Sequence, residues 1–502
     1  MTETVKESHG DDAVALAGLL PSAAPRTMRP EPEWVRYAIG WHVFPLGFLG
    51  TPTLCPEGDP ADPHSPAGAL AAEHRLRRLI PWLDHLVSLG CNVLQLGPVF
   101  ASMSHGYDTV DHLRVDPRLG DDSDLLAVIE AAHTKGVKVL LDGVFNHVGK
   151  AHPAFARLAQ EGPSSPTVGM FHLSWPGGPE AWQPGTPPEY QRFEGQDWLP
   201  VLKHTSPAVV DLVASAMAGW CERGVDGWRL DAAYAVEPTF WTHVLPGLRE
   251  RFPEVYVYGE VIHGDYVGLV SASGMDTVTQ YELWQAIWHS LADLNLYELD
   301  WTLHRGNELL NAGLVPWTFV GNHDTSRIAS LVGDRRHLPH AFALLLLSPG
   351  TPCLYYGDEE GMEAVKEERL GGDDAIRPAF PDSPASLPES GVPVRRLVQQ
   401  LVALRRRLPW LHDALVCREH LDNRQMVLAL SPRIAGDAAA PASEANGETA
   451  GVRLALSLED HEVWLPTGGF HQVLAATHDA LAPRPEGEGV VLPPHGWAVL
   501  SH

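Results

Sequence analysis

The chain has 502 residues, which at roughly 100 to 200 residues per domain allows about two to four domains. Hydrophobic residues make up 44% and charged residues 20%, the composition of a globular protein with ample apolar material for a core. The formal net charge is −27. A surface this acidic repels phosphate backbones and anionic lipid head groups, so it argues against binding to nucleic acid or to a membrane surface.

The first 33 residues show no sustained hydrophobic period, so we predict a flexible leader over 1–33. This segment lacks the basic start of a signal peptide, and no apolar stretch of the sequence reaches the roughly 18 to 20 residues that a membrane span needs. The five cysteines are widely spaced without a CxxC pair, a pattern typical of buried free thiols rather than a disulfide framework. We therefore expect a cytoplasmic protein.

From residue 34 onward, short apolar runs alternate with longer amphipathic segments. We predict eight strands, at 35–44, 92–100, 137–145, 225–231, 255–260, 275–281, 315–321 and 352–358. Helical patterns lie at 71–90, 124–136, 208–224, 240–252, 281–312, 338–348 and 392–408. Eight strands alternating with helices predict an α/β fold, a (β/α)8 TIM barrel. No GxGxxG turn follows an early strand, which disfavours a doubly wound open sheet.

Two segments depart from this alternation. Residues 148–205, rich in Pro, Gly and Trp, predict an inserted subdomain after the third strand, and a connection this long is usually functional. From 411 to 502, short alternating runs separated by polar turns predict a C-terminal antiparallel β-sandwich. The barrel then comprises residues 34–147 and 206–410.

Polar residues follow several of the predicted barrel strands at their C-terminal ends, where the active site of such a barrel lies. One such residue is commonly a helix cap, but a succession of them at neighbouring strand ends favours a shared site. They are His105 to Asp108, Asp142 to His147, Arg229 to Asp231, Glu260 and Asn322 to Asp324.

Two carboxylates that face one substrate are what glycoside hydrolysis requires. Arg229 and Asp231 lie two residues apart, on the same side of a strand, and the guanidinium favours the ionised form that a nucleophile needs. Glu260 follows an aromatic strand, an apolar setting that favours the protonated form of a general acid. Asp324, beside His323, is a third carboxylate able to stabilise positive charge on a sugar ring.

Taken in order, four motifs resemble the signature regions of the α-amylase superfamily, glycoside hydrolase family 13. They are DGVFNH (142–147), GWRLDAAY (227–234), YGEVIH (258–263) and FVGNHD (319–324). The resemblance extends to HGYDT (105–109) and GTPCLYYGDEEGM (350–362), and covers about residues 35 to 502. It implies a retaining double displacement, for which the two carboxyl groups should lie about 5 to 5.5 Å apart.

The resemblance implies a role for each matching residue. Asp231 matches the nucleophile, Glu260 the acid/base and Asp324 the transition-state stabiliser. Around the sugar in subsite −1, Tyr107 matches the residue that stacks on the ring, and His147 and His323 match the residues that bind its hydroxyls. Arg229 matches the residue that orients the nucleophile, and Asp142 matches one that supports the site. Asp373 and Arg377 lie where relatives contact the −2 sugar, although a surface salt bridge explains that pair equally well. Trp175, Trp182 and Trp198 of the insertion suit either aglycone subsites or packing.

Within the superfamily the sequence is most similar to the cyclomaltodextrinase, neopullulanase and maltogenic-amylase group. Tyr234 and Ala235 replace the Lys-His pair of typical α-amylases, which favours short or cyclic maltooligosaccharides, linked α-1,4, over long starch. The group commonly carries an N-terminal sandwich that builds its dimer. Because the first predicted strand begins near residue 35, we expect no dimer of that kind. The start WHVFPLGFLG suggests the further hypothesis of a hydrolase of cyclic maltosyl-maltose.

Several alternatives stay open. The same scaffold supports an α-glucan transglycosylase or an α-glucosidase, and a non-catalytic sugar-binding relative is disfavoured because all three acidic residues are present. A metal-dependent barrel hydrolase would place an HxH pair on the first strand, where only His42 occurs. Asn146 matches a calcium-ligand position of many α-amylases, but the further oxygen ligands that calcium needs are not recognisable, so we expect no metal and no cofactor.

Overall fold

A computed structural model describes residues 28–369, 371–434, 437–441, 451–477 and 482–502. Most of the predicted leader lies outside these residues. Its described end contacts the body of the protein, since Arg29 Nη1 lies 3.1 Å from Asp276 Oδ1 and Glu31 pairs with His412. In the part of the chain that is described, no helix combines the length and apolarity needed to cross a membrane.

Eight parallel strands form one sheet within the described residues. They are β1 (Gly40–Val43), β2 (Val93–Leu96), β3 (Lys138–Gly143), β4 (Gly227–Leu230), β5 (Tyr256–Gly259), β6 (Thr277–Val278), β7 (Trp317–Phe319) and β8 (Thr351–Tyr355). Strands β1 to β6 pair with one another in sequence order, β7 pairs with β8, and β8 pairs with β1. A parallel bridge between Thr279 and Trp317 joins the end of β6 to β7 and closes the barrel. The predicted (β/α)8 fold is confirmed.

Two of the predicted helices are interrupted. The segment 71–90 contains a 3-10 turn, Arg75–Leu79, and a separate helix, Trp82–Ser88, because Pro81 between them cannot donate a helical hydrogen bond. The segment 281–312 divides at Leu294, whose φ of 54° is left-handed. Its two helices are Tyr281–Ala292 and Tyr297–Asn311, and the longer of the other barrel helices are Asp122–Thr134, Pro207–Glu222, Pro238–Arg251, Tyr266–Ser273, Leu338–Leu347 and Val392–Arg407.

The loops above the barrel carry extra structure. A hairpin of Phe100–Ser102 and Thr109–Val115 follows β2. In the predicted insertion, Leu173–Ser174 pairs with Glu189–Tyr190, and an antiparallel bridge joins His147 to Val201. The insertion is therefore tied to the chain that leaves β3, directly beside the predicted site. Short helices at Pro45–Phe48, Pro66–Ala71, Pro153–Ala156, Leu158–Glu161 and Ile328–Leu331 complete these loops.

The C-terminal strands form two principal antiparallel sheets within the described residues. One contains Leu415–Leu421, Gln425–Ser431, Val452–Ser457, Trp497–Ser501 and Gln472–Ala476, and the other contains Val463–Pro466, Gly489–Leu492 and Arg484–Glu486. Side chains from both sheets, such as Val427 and Leu465, share one apolar cluster, as in a sandwich. A small separate pair joins Arg433–Ile434 to Asp437–Pro441.

Much of the aromatic content lies in the core. Six tryptophans are fully buried, namely Trp41, Trp82, Trp220, Trp228, Trp241 and Trp497. The cysteines are free thiols, but the prediction that they are buried holds for only three of them: Cys55 is half-buried and Cys417 is exposed.

Candidate active site

The Arg229 guanidinium lies at the centre of the site. Arg229 belongs to β4, directly opposite Asp142 of β3 in the parallel register, and is 3% exposed. Its Nη1 donates to both carboxylate oxygens of Asp142, at 2.7 and 2.6 Å, and lies 3.3 Å from Asp231 Oδ1. Its Nη2 lies 2.6 Å from Glu260 Oε1. Three of the carboxylates predicted from strand ends therefore converge on one cation.

A second layer extends from Asp142 towards β7. The Tyr107 hydroxyl donates to Asp142 Oδ2 at 3.1 Å and also contacts His323 Nε2. The rings of Tyr107 and His323 lie nearly parallel, with centroids 5.2 Å apart. His323 Nε2 in turn lies 2.9 Å from Asp324 Oδ2. Asp324 thus joins the same network, whereas stacking of Tyr107 on a sugar and contact of His323 with hydroxyls stay predictions.

Asp324 has a cation of its own. Arg377 Nη2 donates to Asp324 Oδ1 at 2.8 Å, and its Nε donates to the His323 carbonyl at 2.7 Å. Although burial opposes it, the charges of His323 and Arg377 hold the pKa of Asp324 well below its usual range. Asp373 forms an ion pair with Arg377, with 3.0 Å between Asp373 Oδ2 and Arg377 Nη2. Arg377 therefore contacts Asp324 directly and also forms the salt bridge with the partly exposed Asp373 that was considered as the alternative. The predicted contact of this pair with a −2 sugar stays a prediction.

Asp231 lies in a setting that differs from the one predicted. Burial and the neighbouring charge of Glu260 raise the pKa of Asp231 well above its usual range, and these effects outweigh the attraction of Arg229. The reason is that Arg229 Nη1 is shared with Asp142, which it contacts more closely. Ionised Asp231 is therefore a weakly stabilised anion, which suits a nucleophile for a different reason from the one inferred from sequence.

Glu260 is not in an apolar pocket, contrary to the prediction from the aromatic strand before it. Besides Arg229, the backbone N–H of Ala232 donates to Oε2 at 3.0 Å, and the Tyr281 hydroxyl donates to Oε1 at 3.1 Å. Tyr281 is held by Asn322, whose Nδ2 donates to the same hydroxyl at 2.8 Å. Ala232 adopts a left-handed φ of 45°, which aims its N–H at the carboxylate.

Residues of the insertion form one wall of the site. Phe193 stacks on His147 with ring centroids 4.7 Å apart. Glu194, at a left-handed φ of 50°, accepts a hydrogen bond of 3.2 Å from the Tyr234 hydroxyl. Tyr234 is 41% exposed. Burial of part of the side chain and the negative charges of Glu194, Glu260 and Asp231 raise the pKa of its hydroxyl, which places the ring beside the site. Sequence reasoning did not identify Phe193, Glu194 or Tyr281.

His147 is engaged within the protein. Its Nε2 donates to the Tyr107 carbonyl at 3.0 Å, and its Nδ1 lies 3.2 Å from Asn146 Nδ2. Burial lowers the pKa of His147 to about 4, so the ring is neutral at neutral pH. The predicted hydrogen bond from His147 to a sugar hydroxyl stays a prediction, and it would require Asn146 to give way.

The tryptophans of the insertion divide between packing and exposure. Trp175 and Trp182 pack edge to face, with centroids 6.1 Å apart, and Trp182 Nε1 donates to the Thr186 carbonyl. Trp198 is 38% exposed. Packing accounts for the first two, and the exposed ring of Trp198 is free to meet a ligand.

Residues 75–380 match the family described as alpha amylase, catalytic domain. The chain belongs to this family. The match spans every barrel strand from β2 to β8, and with it the carboxylates and cations described above. The resemblance inferred from the four motifs is therefore confirmed.

Relatives and solved structures extend this result. The chain is 32% identical over 341 residues to a cyclomaltodextrinase of Bacillus sp, an alignment that covers 66% of this chain and 60% of that protein. It is 29% identical over 346 residues to the intracellular maltogenic amylase of Bacillus subtilis, covering 67% of this chain and 57% of the relative. The chain thus spans less than two thirds of the length of either relative.

A similar fold occurs in the cyclic alpha-maltosyl-(1→6)-maltose hydrolase of Arthrobacter globiformis. The TM-score is 0.73, the identity is 22%, and the superposition covers 94% of this chain and all of that one. At this identity the likeness shows the fold alone.

Proposed function

We propose that the protein is a retaining glycoside hydrolase that cleaves α-1,4-glucosidic bonds in short or cyclic maltooligosaccharides. One observation carries the proposal: Asp231 and Glu260 both reach the same guanidinium, one on each terminal nitrogen of Arg229. This arrangement keeps the two carboxyl groups close together, as a retaining mechanism requires. Family membership and the preserved motif residues support the same reaction.

In the first step, Asp231 attacks the anomeric carbon and Glu260, in its protonated form, transfers its proton to the leaving glycosidic oxygen. The carbon–oxygen bond breaks and a covalent glycosyl ester forms on Asp231. In the second step, Glu260 as carboxylate takes a proton from a water molecule, whose oxygen attacks the same carbon and releases Asp231. The sugar keeps its configuration, and the protein returns to its starting protonation state.

The surrounding groups support charge development on the sugar. Asp324, held ionised by His323 and Arg377, places negative charge where the ring becomes positive. Arg229 takes part in neither of the two proton transfers, because its N–H groups donate hydrogen bonds to all three carboxylates. Its role is to fix the orientation of Asp142, Asp231 and Glu260 within a buried site.

The substrate class rests on the rim of the site and on the names of relatives. Tyr234 presents an exposed aromatic ring beside the central carboxylates, held from the insertion by Glu194. Flat aromatic faces of this kind suit the apolar faces of glucose units on the leaving-group side. The named relatives include a cyclomaltodextrinase and a maltogenic amylase, which supports short or cyclic glucans. The name of one relative, the intracellular maltogenic amylase of Bacillus subtilis, supports a cytoplasmic location, which stays a proposal.

A product profile tests the proposal. Purified protein is incubated with linear maltooligosaccharides, α-, β- and γ-cyclodextrin, cyclic maltosyl-maltose and starch, and products are separated by chromatography, with Asp231→Asn as the inactive control. We expect faster cleavage of the short and cyclic substrates than of starch, with retained anomeric configuration by NMR. Products longer than the substrate would instead assign the transglycosylase alternative, and removal of single terminal glucose units the α-glucosidase. An inverted product would refute the mechanism.

A further inference from the structure

A second arginine, Arg327, is buried close to the site. It follows Asp324 by three residues and is 1% exposed. Its Nη1 donates to the Tyr356 carbonyl at 2.5 Å, and its Nη2 donates to the Ile376 carbonyl at 2.7 Å. Arg327 therefore connects the segment after β7 both to the end of β8 and to the loop that carries Arg377.

Two tyrosine hydroxyls hold the same loop on either side of Arg377. The Ile376 carbonyl, which accepts from the buried guanidinium, also accepts from the Tyr355 hydroxyl at 3.2 Å. The Tyr356 hydroxyl donates to the Pro378 carbonyl at 2.9 Å. The backbone immediately before and immediately after Arg377 is thus fixed by side chains from the end of β8.

The Arg327 guanidinium is itself held by an ion pair and by aromatic rings. Asp358 Oδ1 accepts from Nη1 at 3.0 Å, and both side chains are buried. The ring centroids of Tyr355 and Tyr356 lie 4.2 and 5.2 Å from Arg327 Cζ, within the range of cation–π attraction. A buried ion pair often stabilises a protein no better than apolar side chains of similar size. We therefore look for its role in the geometry that it fixes.

Arg377 depends on the position of its loop to reach the site. Its Nη2 donates to Asp324 Oδ1 at 2.8 Å and its Nε donates to the His323 carbonyl at 2.7 Å. The Phe44 ring, 4.6 Å from Arg377 Cζ, provides no directional hydrogen bond to hold the guanidinium there. A shift of about 1 Å in the loop would lengthen the 2.8 Å contact beyond hydrogen-bond distance.

We propose that Arg327 is a positioning residue of the hydrolase, which holds the loop of Arg377 so that the Arg377 guanidinium contacts Asp324. The Tyr355 and Tyr356 hydroxyls share this role. The inference rests on the proposed function, because Asp324 is there the stabiliser of the transition state. Within the described residues, Arg327 makes no hydrogen bond to any of the three proposed catalytic carboxylates, so it acts through Arg377.

The charges around Asp324 make the role measurable. Although burial opposes it, His323 and Arg377 hold the pKa of Asp324 low, so a displaced Arg377 raises that pKa. Because Asp324 acts as a carboxylate, the loss of kcat/KM on the acid side then occurs at higher pH. The other charged or titratable groups that interact electrostatically with Asp324 stay in place, namely Arg229, Asp231, Tyr107, Tyr281, His42 and His105.

The test variant is Arg327→Lys, which keeps the positive charge but lacks the planar fork that reaches three acceptors. A direct effect of lost charge on Asp324 is thereby avoided. The matched control is Arg405→Lys. Arg405 is 6% exposed and likewise donates to three backbone carbonyls, but at the N-terminal end of β8, opposite to the site; these are the carbonyls of Leu346, Ser348 and Gly350.

Steady-state kinetics on a short maltooligosaccharide are measured across pH, together with thermal unfolding. For Arg327→Lys we expect kcat/KM to fall roughly 10-fold, and its acid limb to move to higher pH by about 0.5 unit. Tyr356→Phe should move the limb less, in the same direction. Arg405→Lys should lose stability without moving the limb. Combined with Arg377→Ala, Arg327→Lys should add no further movement, because both changes act on one contact.

Three results would overturn the positioning role. They are an acid limb of Arg327→Lys that coincides with that of the parent, an equal movement in Arg405→Lys, and a movement in the double variant that is the sum of the two single ones. Should Arg327→Lys fail to fold, the combined Tyr355→Phe and Tyr356→Phe variant is measured in its place, and the same criteria apply.

A structural measurement separates this role from the proposed function. Parent protein that cleaves no α-glucan would refute the proposed function but not the contact. Crystal structures of Arg327→Lys and Arg405→Lys then decide. The distance between Arg377 Nη2 and Asp324 Oδ1 should exceed hydrogen-bond range in the first variant and stay near the parent value of 2.8 Å in the second. An unchanged distance in Arg327→Lys overturns the proposal.

Discussion

Replacing Tyr281 with phenylalanine removes one hydroxyl that connects two sides of the proposed active site. This hydroxyl donates to Glu260 Oε1 at 3.1 Å and accepts from Asn322 Nδ2 at 2.8 Å. Tyr281 is 8% exposed, so water does not readily replace the lost contacts. Glu260 keeps its contacts to Arg229 and to the backbone N–H of Ala232. We therefore expect a weakened site rather than an abolished one.

The size of the effect follows from the contact that is lost. A hydrogen bond to a charged group contributes roughly 1.5 to 3 kcal/mol net, and each 1.4 kcal/mol changes a rate about tenfold. If the Tyr281 hydroxyl orients Glu260 for proton transfer, kcat/KM on a short maltooligosaccharide should fall roughly 10- to 100-fold. The amide of Asn322 also loses its acceptor, and the free energy of unfolding should fall by about 1 to 2 kcal/mol.

Tyr258→Phe is the matched control. Tyr258 belongs to β5, is fully buried, and its hydroxyl has no hydrogen-bond partner among the described residues. Steady-state kinetics and thermal unfolding of both variants are compared under identical conditions. Tyr258→Phe should match the parent protein, and equal kinetics for the two variants would refute the orienting role of Tyr281.

Three further expectations follow from the same contacts. Asp231→Asn should lower kcat by roughly 10⁴-fold or more. Its free energy of unfolding at pH 7 should rise, because the parent carboxylate has a raised pKa and its negative charge destabilises the folded protein above that pKa. A less stable variant in thermal unfolding would contradict the charge argument. Arg377→Ala removes a cation that lowers the pKa of Asp324, so the loss of kcat/KM on the acid side should move to higher pH, and an unchanged pH profile would contradict it. Tyr234→Ala should raise KM for longer substrates. Tyr234→Phe keeps the ring, loses only the hydrogen bond to Glu194 and should have a near-normal KM. Equal effects of the two substitutions on KM would exclude stacking of the Tyr234 ring on a sugar.

The barrel could be predicted because its strands are buried on both faces and appear as short apolar runs between amphipathic helices. The errors in the predicted helices occur where the spacing of apolar side chains stays helical but the backbone cannot continue the helix. The apolar positions around Pro81 keep a helical period, but the backbone there lacks a donor and the helix divides. The pattern over 281–312 likewise continues across the left-handed turn at Leu294. Hydrophobic spacing alone does not reveal such breaks.

The central residues of the site could be predicted because each follows a strand that the pattern had placed. Tyr281 could have been identified in the same way, because it lies at the C-terminal end of the predicted sixth strand, 275–281. Phe193 and Glu194 offered no such signal, because they lie in an irregular insertion without a period. The pairing of Asp142 with Arg229 depends on the register of β3 against β4, which only the structure supplies.

The distribution of cations explains why three similar carboxylates differ. Asp142 receives two short hydrogen bonds from Arg229, and Asp324 has close contacts with both Arg377, at 2.8 Å, and His323, at 2.9 Å. Asp231 is left with one contact of 3.3 Å to a nitrogen that is already engaged with Asp142. The residue proposed to attack the sugar is thus the one whose negative charge is least compensated. Strengthening its contact with Arg229 would stabilise the folded protein, but it would also stabilise the anion before attack and slow the reaction.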